Sequence, residues 1–386
     1  MELAPDKDWI RLADPDVGAA EMGAVLTALQ SSRLSAGPAV RTFEARFARY
    51  VGRTHAVAVA SGTAGLLVTL RALGVGPGDE VIASSYSWHQ IANAIALVGA
   101  TPRFVDIDYW SGTLTAEKVA PALTPRTKAI LAGNTNGHPA PWNALRALAD
   151  AHRLPLIEDS TEALGSVYRG KRVGSFGDCA IFDFSQPSAL VCGEGAMILT
   201  DDAGLATELR YLRSHSLEDR RSVSVGSRVP LQAAMSDLGA ALGIAQLERL
   251  DEILARRRQV EGYYARHILA FEGIKPPYRA PDVDEVHWLL YVVHLGTRFT
   301  RSGRNQIVED LATESVAAAP YCHPLHQQYY YGRYGYAKGD FFVTEKIADR
   351  ALALPFHGGL DDDEVAFIVG SAKDSSINVG AGAAIY

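Results

Sequence analysis

The chain has 386 residues, of which 48% are hydrophobic and 21% charged, and its formal net charge is −7. Acidic and basic residues are interspersed rather than collected in blocks, which argues against a nucleic-acid or membrane-surface partner and makes small molecules the expected ligands. The length allows one large domain and one smaller domain, each with its own buried core.

The cysteines, Cys179, Cys192 and Cys322, are too few and too widely spaced for a disulfide framework or a metal knuckle. The first residues lack the apolar stretch of a signal peptide. No later run reaches the roughly 18 apolar residues of a membrane span. We therefore expect a cytoplasmic protein.

Short apolar segments predict a series of β-strands in the first two thirds of the chain, with helix-length segments such as GTAGLLVTLRALG and NALRALADAHR between them. These segments are HAVAVAS, EVIAS, TPRFVDID, KAILA, LPLIED, CAIFDFS and GAMILTDD. The alternation predicts crossover units and an α/β fold with a mostly parallel sheet covered on both faces. We place this large domain at residues 12–247, with its ligand site at the carboxyl ends of the strands.

A long amphipathic helical pattern follows Met235 and connects the large domain to the rest of the chain. Beyond it, HWLLYVVHLG predicts a strand, and RNQIVEDLATE and TEKIADRALAL each predict a helix. We therefore predict a smaller α+β domain at residues 248–386.

Several long motifs together closely resemble the DegT/DnrJ/StrS family of sugar aminotransferases. They are SGTAGLLVTLRALGVGPGDEVI, GATPRFVDID, the run from NGHPAPWNALRALADAHR to GDCAIFDFS, GEGAMILTDD, MSDLGAALGIAQLERLDEI and GDFFVTEKIADRALALPFHGGLDDDEV. The resemblance extends in order over nearly the whole chain. It implies a fold-type I aminotransferase-like protein, the fold of enzymes that use pyridoxal phosphate (PLP).

The resemblance also implies a cofactor pocket. Gly62 and Thr63 match the pair that binds the cofactor phosphate, and a helix N-terminus with free amides suits an anion. Trp88 matches the aromatic residue that stacks on the pyridine ring. Asp159 matches the carboxylate that keeps the ring nitrogen protonated.

The segment FDFSQPSALVCGEG departs from the family pattern, because it contains no lysine. Ser188 stands where the family has its Schiff-base lysine. A serine hydroxyl forms no imine with an aldehyde and cannot act as the amine that moves the proton in transamination.

Other positions around the implied pocket differ as well. Asp183 replaces the phosphate-binding serine, and a carboxylate within about 4 Å of a dianionic phosphate repels it by several kcal/mol at an effective dielectric constant of about 20. Glu162 replaces a glutamine, and Gln232 and Ala234 replace an Asn-x-Arg pair that reaches the partner subunit's cofactor. The sequence thus indicates a rebuilt, acidic pocket in which Asp183 caps the amides of Gly62 and Thr63.

The candidate catalytic residues of this pocket are acids, bases and the residue at the lysine position: Asp159, Glu162, Asp183, His89 and Ser188. Their spacing contains no metal-binding motif, and we predict no metal. Cys192, which follows Ser188 in the same loop, is interpreted as a buried bystander.

The candidate substrate-binding residues lie in SYSWHQ, in NGHP and in the small-domain stretch YCHPLHQQYY. They are Tyr86, His138, Tyr321, His323 and His326. His138 also fits a purely structural role in a turn. The last three match the stretch that lines the substrate entrance in the family.

These observations lead to three hypotheses. In the first, a homodimeric enzyme of amino-sugar, aminocyclitol or antibiotic-type secondary metabolism needs no cofactor and uses acid/base catalysis for isomerisation, cyclisation, epimerisation or elimination. In the second, PLP or its amine form (PMP) binds noncovalently in a dehydratase-like or transaminase-like enzyme. In the third, the chain is an inactive partner of an active enzyme. The sequence favours the first, with a sugar, aminocyclitol or amine-bearing metabolite as substrate.

Overall fold

The computed structural model describes residues 9–214, 229–268 and 273–382. The helices within these ranges are α1 (Ala19–Leu29), α2 (Pro38–Val51), α3 (Gly62–Ala72), α4 (His89–Leu97), α5 (Ala116–Val119), α6 (Trp142–His152), α7 (Ala203–Arg213), α8 (Asp237–Glu248), α9 (Leu250–Ile268), α10 (Arg301–Thr313), α11 (Phe342–Ala348) and α12 (Asp362–Gly382). The strands are β1 (His55–Val59), β2 (Glu80–Ser84), β3 (Thr101–Val105), β4 (Thr127–Gly133), β5 (Leu156–Asp159), β6 (Val167–Tyr168), β7 (Lys171–Arg172), β8 (Cys179–Asp183), β9 (Ala196–Thr200), β10 (Ile274–Lys275), β11 (Val283–Glu285), β12 (Tyr291–Leu295), β13 (Ala319–Pro320) and β14 (Ala351–Leu354).

The central sheet has seven strands in the order β1-β9-β8-β5-β4-β2-β3. The strands from β8 to β3 pair in parallel, whereas β9 is antiparallel to both of its neighbours. All these strands coincide with predicted segments, and only β4 extends beyond its segment KAILA, by one residue at each end. The prediction of an α/β fold with a mostly parallel sheet is confirmed.

Both faces of the central sheet are covered, as the continuous apolar strands require. One core cluster includes Val57, Leu66 and Ile91, and a second, on α2, includes Phe43 and Phe47. Since helices cover both faces, the carboxyl ends of the parallel strands are left as the place where a ligand reaches the sheet.

A smaller antiparallel sheet, β10-β12-β14-β13, lies in the C-terminal part of the chain, with α10 and α12 nearby. The sequence predicts one helix over TEKIADRALAL, but α11 ends at Ala348 and Ala351–Leu354 is a strand paired with Tyr291–His294. Strand pairing in the small domain overrides the helical preference of the Ala-Leu repeat.

A third sheet joins the two parts of the molecule, because β11 pairs with β6 of the large part, and β6 pairs with β7. The described ranges contain no helix that is long and apolar enough to cross a membrane. The division into domains at residue 247 remains a prediction.

Candidate functional site

Asp183 ends strand β8 and contacts the first turn of helix α3. Its Oδ2 accepts a hydrogen bond from the backbone N–H of Gly62 at 2.8 Å, and its Oδ1 accepts one from the N–H of Ser185 at 2.8 Å. A Cβ atom added at Gly62 would lie 2.4 Å from Oδ2, so only glycine fits here. Asp183 therefore caps the Gly62 amide, while no hydrogen bond joins it to the amide of Thr63 in the described contacts.

Asp159 ends the neighbouring strand β5 and is linked to Asp183 through Thr161. The N–H of Thr161 donates to Asp159 Oδ1 at 3.1 Å, and the Thr161 hydroxyl accepts from the N–H of Asp183 at 3.2 Å. Gln90 Nε2 lies 3.2 Å from the Thr161 hydroxyl and 3.5 Å from Asp159 Oδ2. Burial raises the pKa of Asp159, and the nearby Asp183 raises it further, against the lowering effect of the hydrogen bonds.

Glu162 follows in the short 3₁₀ turn after β5 and contacts the C-terminal part of the chain. Its Oε2 accepts hydrogen bonds from the Tyr321 hydroxyl and from the backbone N–H of Asn136. Burial raises the pKa of Glu162 to about 8, although both hydrogen bonds act in the opposite direction. The carboxyl group therefore holds a proton at neutral pH and is a candidate general acid.

Trp88 is the residue before helix α4 and is half-buried against the cluster that contains Tyr86 and Tyr321. Its indole Nε1 is buried without a hydrogen-bond partner in the described residues. Buried polar groups are nearly always hydrogen-bonded, so an orphaned indole N–H beside the strand ends marks a place where a ligand is expected.

Ser188 lies half-buried in the loop after β8, where its Oγ accepts a hydrogen bond from the N–H of Leu190 at 3.3 Å. The lysines within the described ranges are exposed, except Lys373, which is half-buried on α12. Cys192 is buried, and burial raises the pKa of its thiol well above the usual range, which suits the interpretation as a bystander.

The four histidines considered as candidate site residues fall into a buried pair and an exposed pair. His138 and His326 are buried with both ring nitrogens engaged: His138 with the Pro139 carbonyl and the N–H of Ala280, His326 with Ser85 and Glu345. His89 and His323 are exposed. Only one of these exposed rings has a described polar contact, between His323 and the Arg301 guanidinium.

A cleft lies beside Glu162, between the strand ends and the small domain. Tyr86 and Tyr321 line it, with ring centroids 5.5 Å apart, together with Thr135 and Asn136. Its rim carries exposed aromatic rings, among them Trp110, which lies 5.6 Å from Tyr278 between ring centroids. The cleft thus presents aromatic faces, hydroxyls and amides.

Gln90 and Thr161 were missed by the sequence analysis, which considered His89 instead. The chain turns Gln90, not His89, toward Asp159, because position 89 is the exposed first residue of α4. The available signal was the position of Thr161 two residues after Asp159, the spacing of a local side-chain-to-backbone turn.

The seven-stranded sheet and the cleft at its strand ends define an aminotransferase-fold protein. An aminotransferase, TlmJ, from Streptoalloteichus hindustanus has the same fold, with a TM-score of 0.88, 32% identity and coverage of 96% of this chain and 99% of that one. The chain belongs to the DegT/DnrJ/EryC1/StrS aminotransferase family, whose model matches residues 15–373.

Two relatives are named for roles in biosynthesis. The chain is 36% identical over 366 residues to GDP-perosamine synthase from Caulobacter vibrioides, covering 94% of this chain and 97% of the relative. It is 35% identical over 371 residues to the spore coat polysaccharide biosynthesis protein SpsC from Bacillus subtilis, covering 93% and 95%. Members of the family are enzymes, and these names place relatives in polysaccharide and amino-sugar biosynthesis.

The prediction that no cofactor is used is wrong. A putative sugar aminotransferase, Spr1654, from Streptococcus pneumoniae matches in a PMP form (TM-score 0.91, 26% identity, 96% and 98% coverage) and in a PLP form (TM-score 0.89, 27% identity, 96% and 99% coverage). Changes at four positions of the pocket do not amount to the loss of the whole pocket, because Trp88 and Asp159 are retained.

The residues of this chain fit one end of such a cofactor and not the other. Trp88 offers a ring face with a free N–H, and Asp159 offers a buried carboxylate for a pyridine N–H. At the phosphate end, the Gly62 amide already donates to the Asp183 carboxylate. No group of three or more metal-ligating side chains occurs in the described ranges.

Proposed function

We propose that this chain is an enzyme of amino-sugar or antibiotic-type secondary metabolism that holds the pyridine ring of PLP or PMP noncovalently. Its reaction is dehydratase-like or transaminase-like, on a sugar or aminocyclitol. The observation that carries the proposal is the absence of lysine from residues 182–195, together with the exposed positions of the other described lysines apart from Lys373 on α12.

The roles of the residues follow from their contacts. Trp88 provides the face on which the ring stacks, and Asp159 holds the proton of the ring nitrogen. When bound, the ring withdraws electrons from the reacting centre. Thr161 and Gln90 orient the Asp159 carboxylate through the hydrogen bonds at 3.1 and 3.5 Å, and act as positioning residues.

Glu162 and Tyr321 serve the substrate side. The two side chains are hydrogen-bonded to each other, and Tyr321 also lines the cleft. A carboxyl group that holds its proton at neutral pH suits a substrate whose leaving or bridging oxygen needs a proton. Tyr86 packs against the Tyr321 ring, with centroids 5.5 Å apart, and acts as a positioning residue for it.

A binding experiment tests the proposal. We expect purified protein to bind PLP or PMP reversibly, so that dialysis removes the ligand and borohydride fixes none of it in the pocket. Trp88→Ala should weaken binding about fivefold or more, because stacking of a ring on one aromatic side chain contributes on the order of 1–3 kcal/mol. Trp9→Ala removes an exposed indole at the start of the described residues. It is the matched control and should leave the affinity unchanged.

A further inference from the structure

The phosphate end of the pocket contains a fixed carboxylate. Asp183 is only 7% exposed, and both of its oxygens accept hydrogen bonds from backbone amides, at 2.8 Å each. Its side chain packs against the Cα of Gly62 so closely that no Cβ would fit. The carboxylate is thus part of the folded structure at the start of α3, not a mobile surface group.

The charge of this carboxylate has no cationic partner in the described ranges, where no lysine, arginine or histidine forms an ion pair with Asp183. The nearest charged group identified is another carboxylate, Asp159, connected through the hydroxyl and amide of Thr161. An incoming phosphate dianion would meet two buried acids and an amide that is already used. The pocket therefore disfavours anions at this end.

A carboxylate that accepts two hydrogen bonds still has free lone pairs, since each oxygen can accept two. A neutral hydroxyl can donate to one of them without electrostatic cost. Pyridoxamine and pyridoxal carry a hydroxymethyl group where PMP and PLP carry the phosphate, and the rest of the ring is identical. Trp88 and Asp159, the side chains proposed to contact the pyridine ring, would make the same contacts with both kinds of ligand.

We infer that Asp183 makes this pocket select the unphosphorylated ring, pyridoxamine or pyridoxal, over its phosphorylated form. The inference rests on the proposed function, because it needs the ring to bind between Trp88 and Asp159. It assigns Asp183 the role of a specificity-determining residue, with the Oδ atoms accepting the hydroxymethyl proton while Gly62 and Ser185 hold the carboxylate in place.

The test is a comparison of pyridoxamine and PMP as probes, by calorimetry or quenching of tryptophan fluorescence with the full chain. We expect the wild-type protein to bind pyridoxamine at least tenfold more tightly than PMP. Asp183→Asn keeps the size of the side chain and removes its charge, and should lower this ratio at least tenfold, mainly through tighter binding of PMP. Asp202→Asn, at the exposed N-terminus of α7, is the control and should leave the ratio unchanged.

The outcomes separate the two proposals. If neither probe binds the wild-type protein, the proposed function fails, and the selection that depends on it fails too. If PMP binds as tightly as pyridoxamine or more tightly, the ring site stands and the inference about Asp183 alone is overturned. The wild-type comparison decides this even if Asp183→Asn does not fold.

Discussion

The hydroxyl of Tyr321, in the C-terminal part of the chain, donates a hydrogen bond to the buried carboxyl group of Glu162 at the end of the large sheet. This contact joins the residues at the strand ends of the large sheet to the cleft that Tyr86 and Tyr321 line. Because burial raises the pKa of this carboxyl group above its value in the unfolded chain, its titration changes the stability of the fold.

The first prediction concerns Glu162→Gln. Burial raises the folded-state pKa from 4.5 to about 8, so the stability associated with the protonated form is complete below pH 4.5 and is lost as the pH rises toward 8. The loss can reach about 1.4 kcal/mol per pH unit. A glutamine oxygen accepts the same two hydrogen bonds without titrating, so urea unfolding of Glu162→Gln should show no such loss.

Glu309→Gln, at an exposed position on α10, is the control for this experiment and should follow the wild-type pH profile. A wild-type protein whose stability relative to Glu162→Gln stays constant from pH 5 to pH 8 would show that Glu162 is ionised throughout and is no general acid.

The second prediction concerns Asp183→Ser. Loss of the carboxylate that caps Gly62 should cost about 1 kcal/mol of stability, as is typical of a lost helix cap. The same change should give a measurable gain in affinity for inorganic phosphate or PLP, because it removes the charge that repels them. Asp202→Ala removes the side chain that caps α7 and should lower stability by a similar amount without the gain in affinity. Equal phosphate binding by Asp183→Ser and the wild type would refute the account of the phosphate end.

The third prediction concerns covalent capture. We expect the wild type to retain no PLP after borohydride reduction and unfolding, since Ser188 has no amine. The double change Asp183→Ser with Ser188→Lys should retain up to one cofactor per chain, detected by mass spectrometry, with Asp183→Ser alone as the control for reaction at surface lysines. A stable adduct on the wild-type pocket would contradict both this prediction and the proposed function.

The fourth prediction is a homodimer. Helix α1 packs on α8, and its outer side leaves Met22, Leu26 and Leu29 between 52% and 62% exposed, an apolar surface suited to a second copy of the chain. Light scattering at micromolar concentration should return twice the chain mass. Leu26→Glu should shift the mass toward the monomer, whereas Leu97→Glu, on an exposed leucine of α4, should not. A wild-type protein that is monomeric at this concentration would contradict the prediction.

The large sheet could be predicted from the sequence because its strands are short apolar runs bounded by turn residues, as in EVIAS and LPLIED. The strand Ala351–Leu354 could not, since its alternating alanines and leucines favour a helix until Tyr291–His294 pairs with it. The contact between Asp183 and Gly62 was predictable from the resemblance, because two aligned positions that share one phosphate must be close in space.

The direction in which a side chain points could not be predicted from the sequence. Position 89 and position 90 are adjacent at the start of α4, yet only Gln90 reaches Asp159. The helix phase decides this, and the phase depends on how Trp88 enters α4, which no single residue reveals. For the same reason, the engagement of both nitrogens of His138 and His326 became visible only in the folded chain.

The pairing of Val283–Glu285 with Val167–Tyr168 ties the two parts of the molecule together on one side of the cleft. A wide hinge rotation would have to break these backbone bonds. The contact between the rings of Tyr86 and Tyr321, which come from the two parts of the molecule and lie 5.5 Å apart between centroids, is thus set by the fold itself.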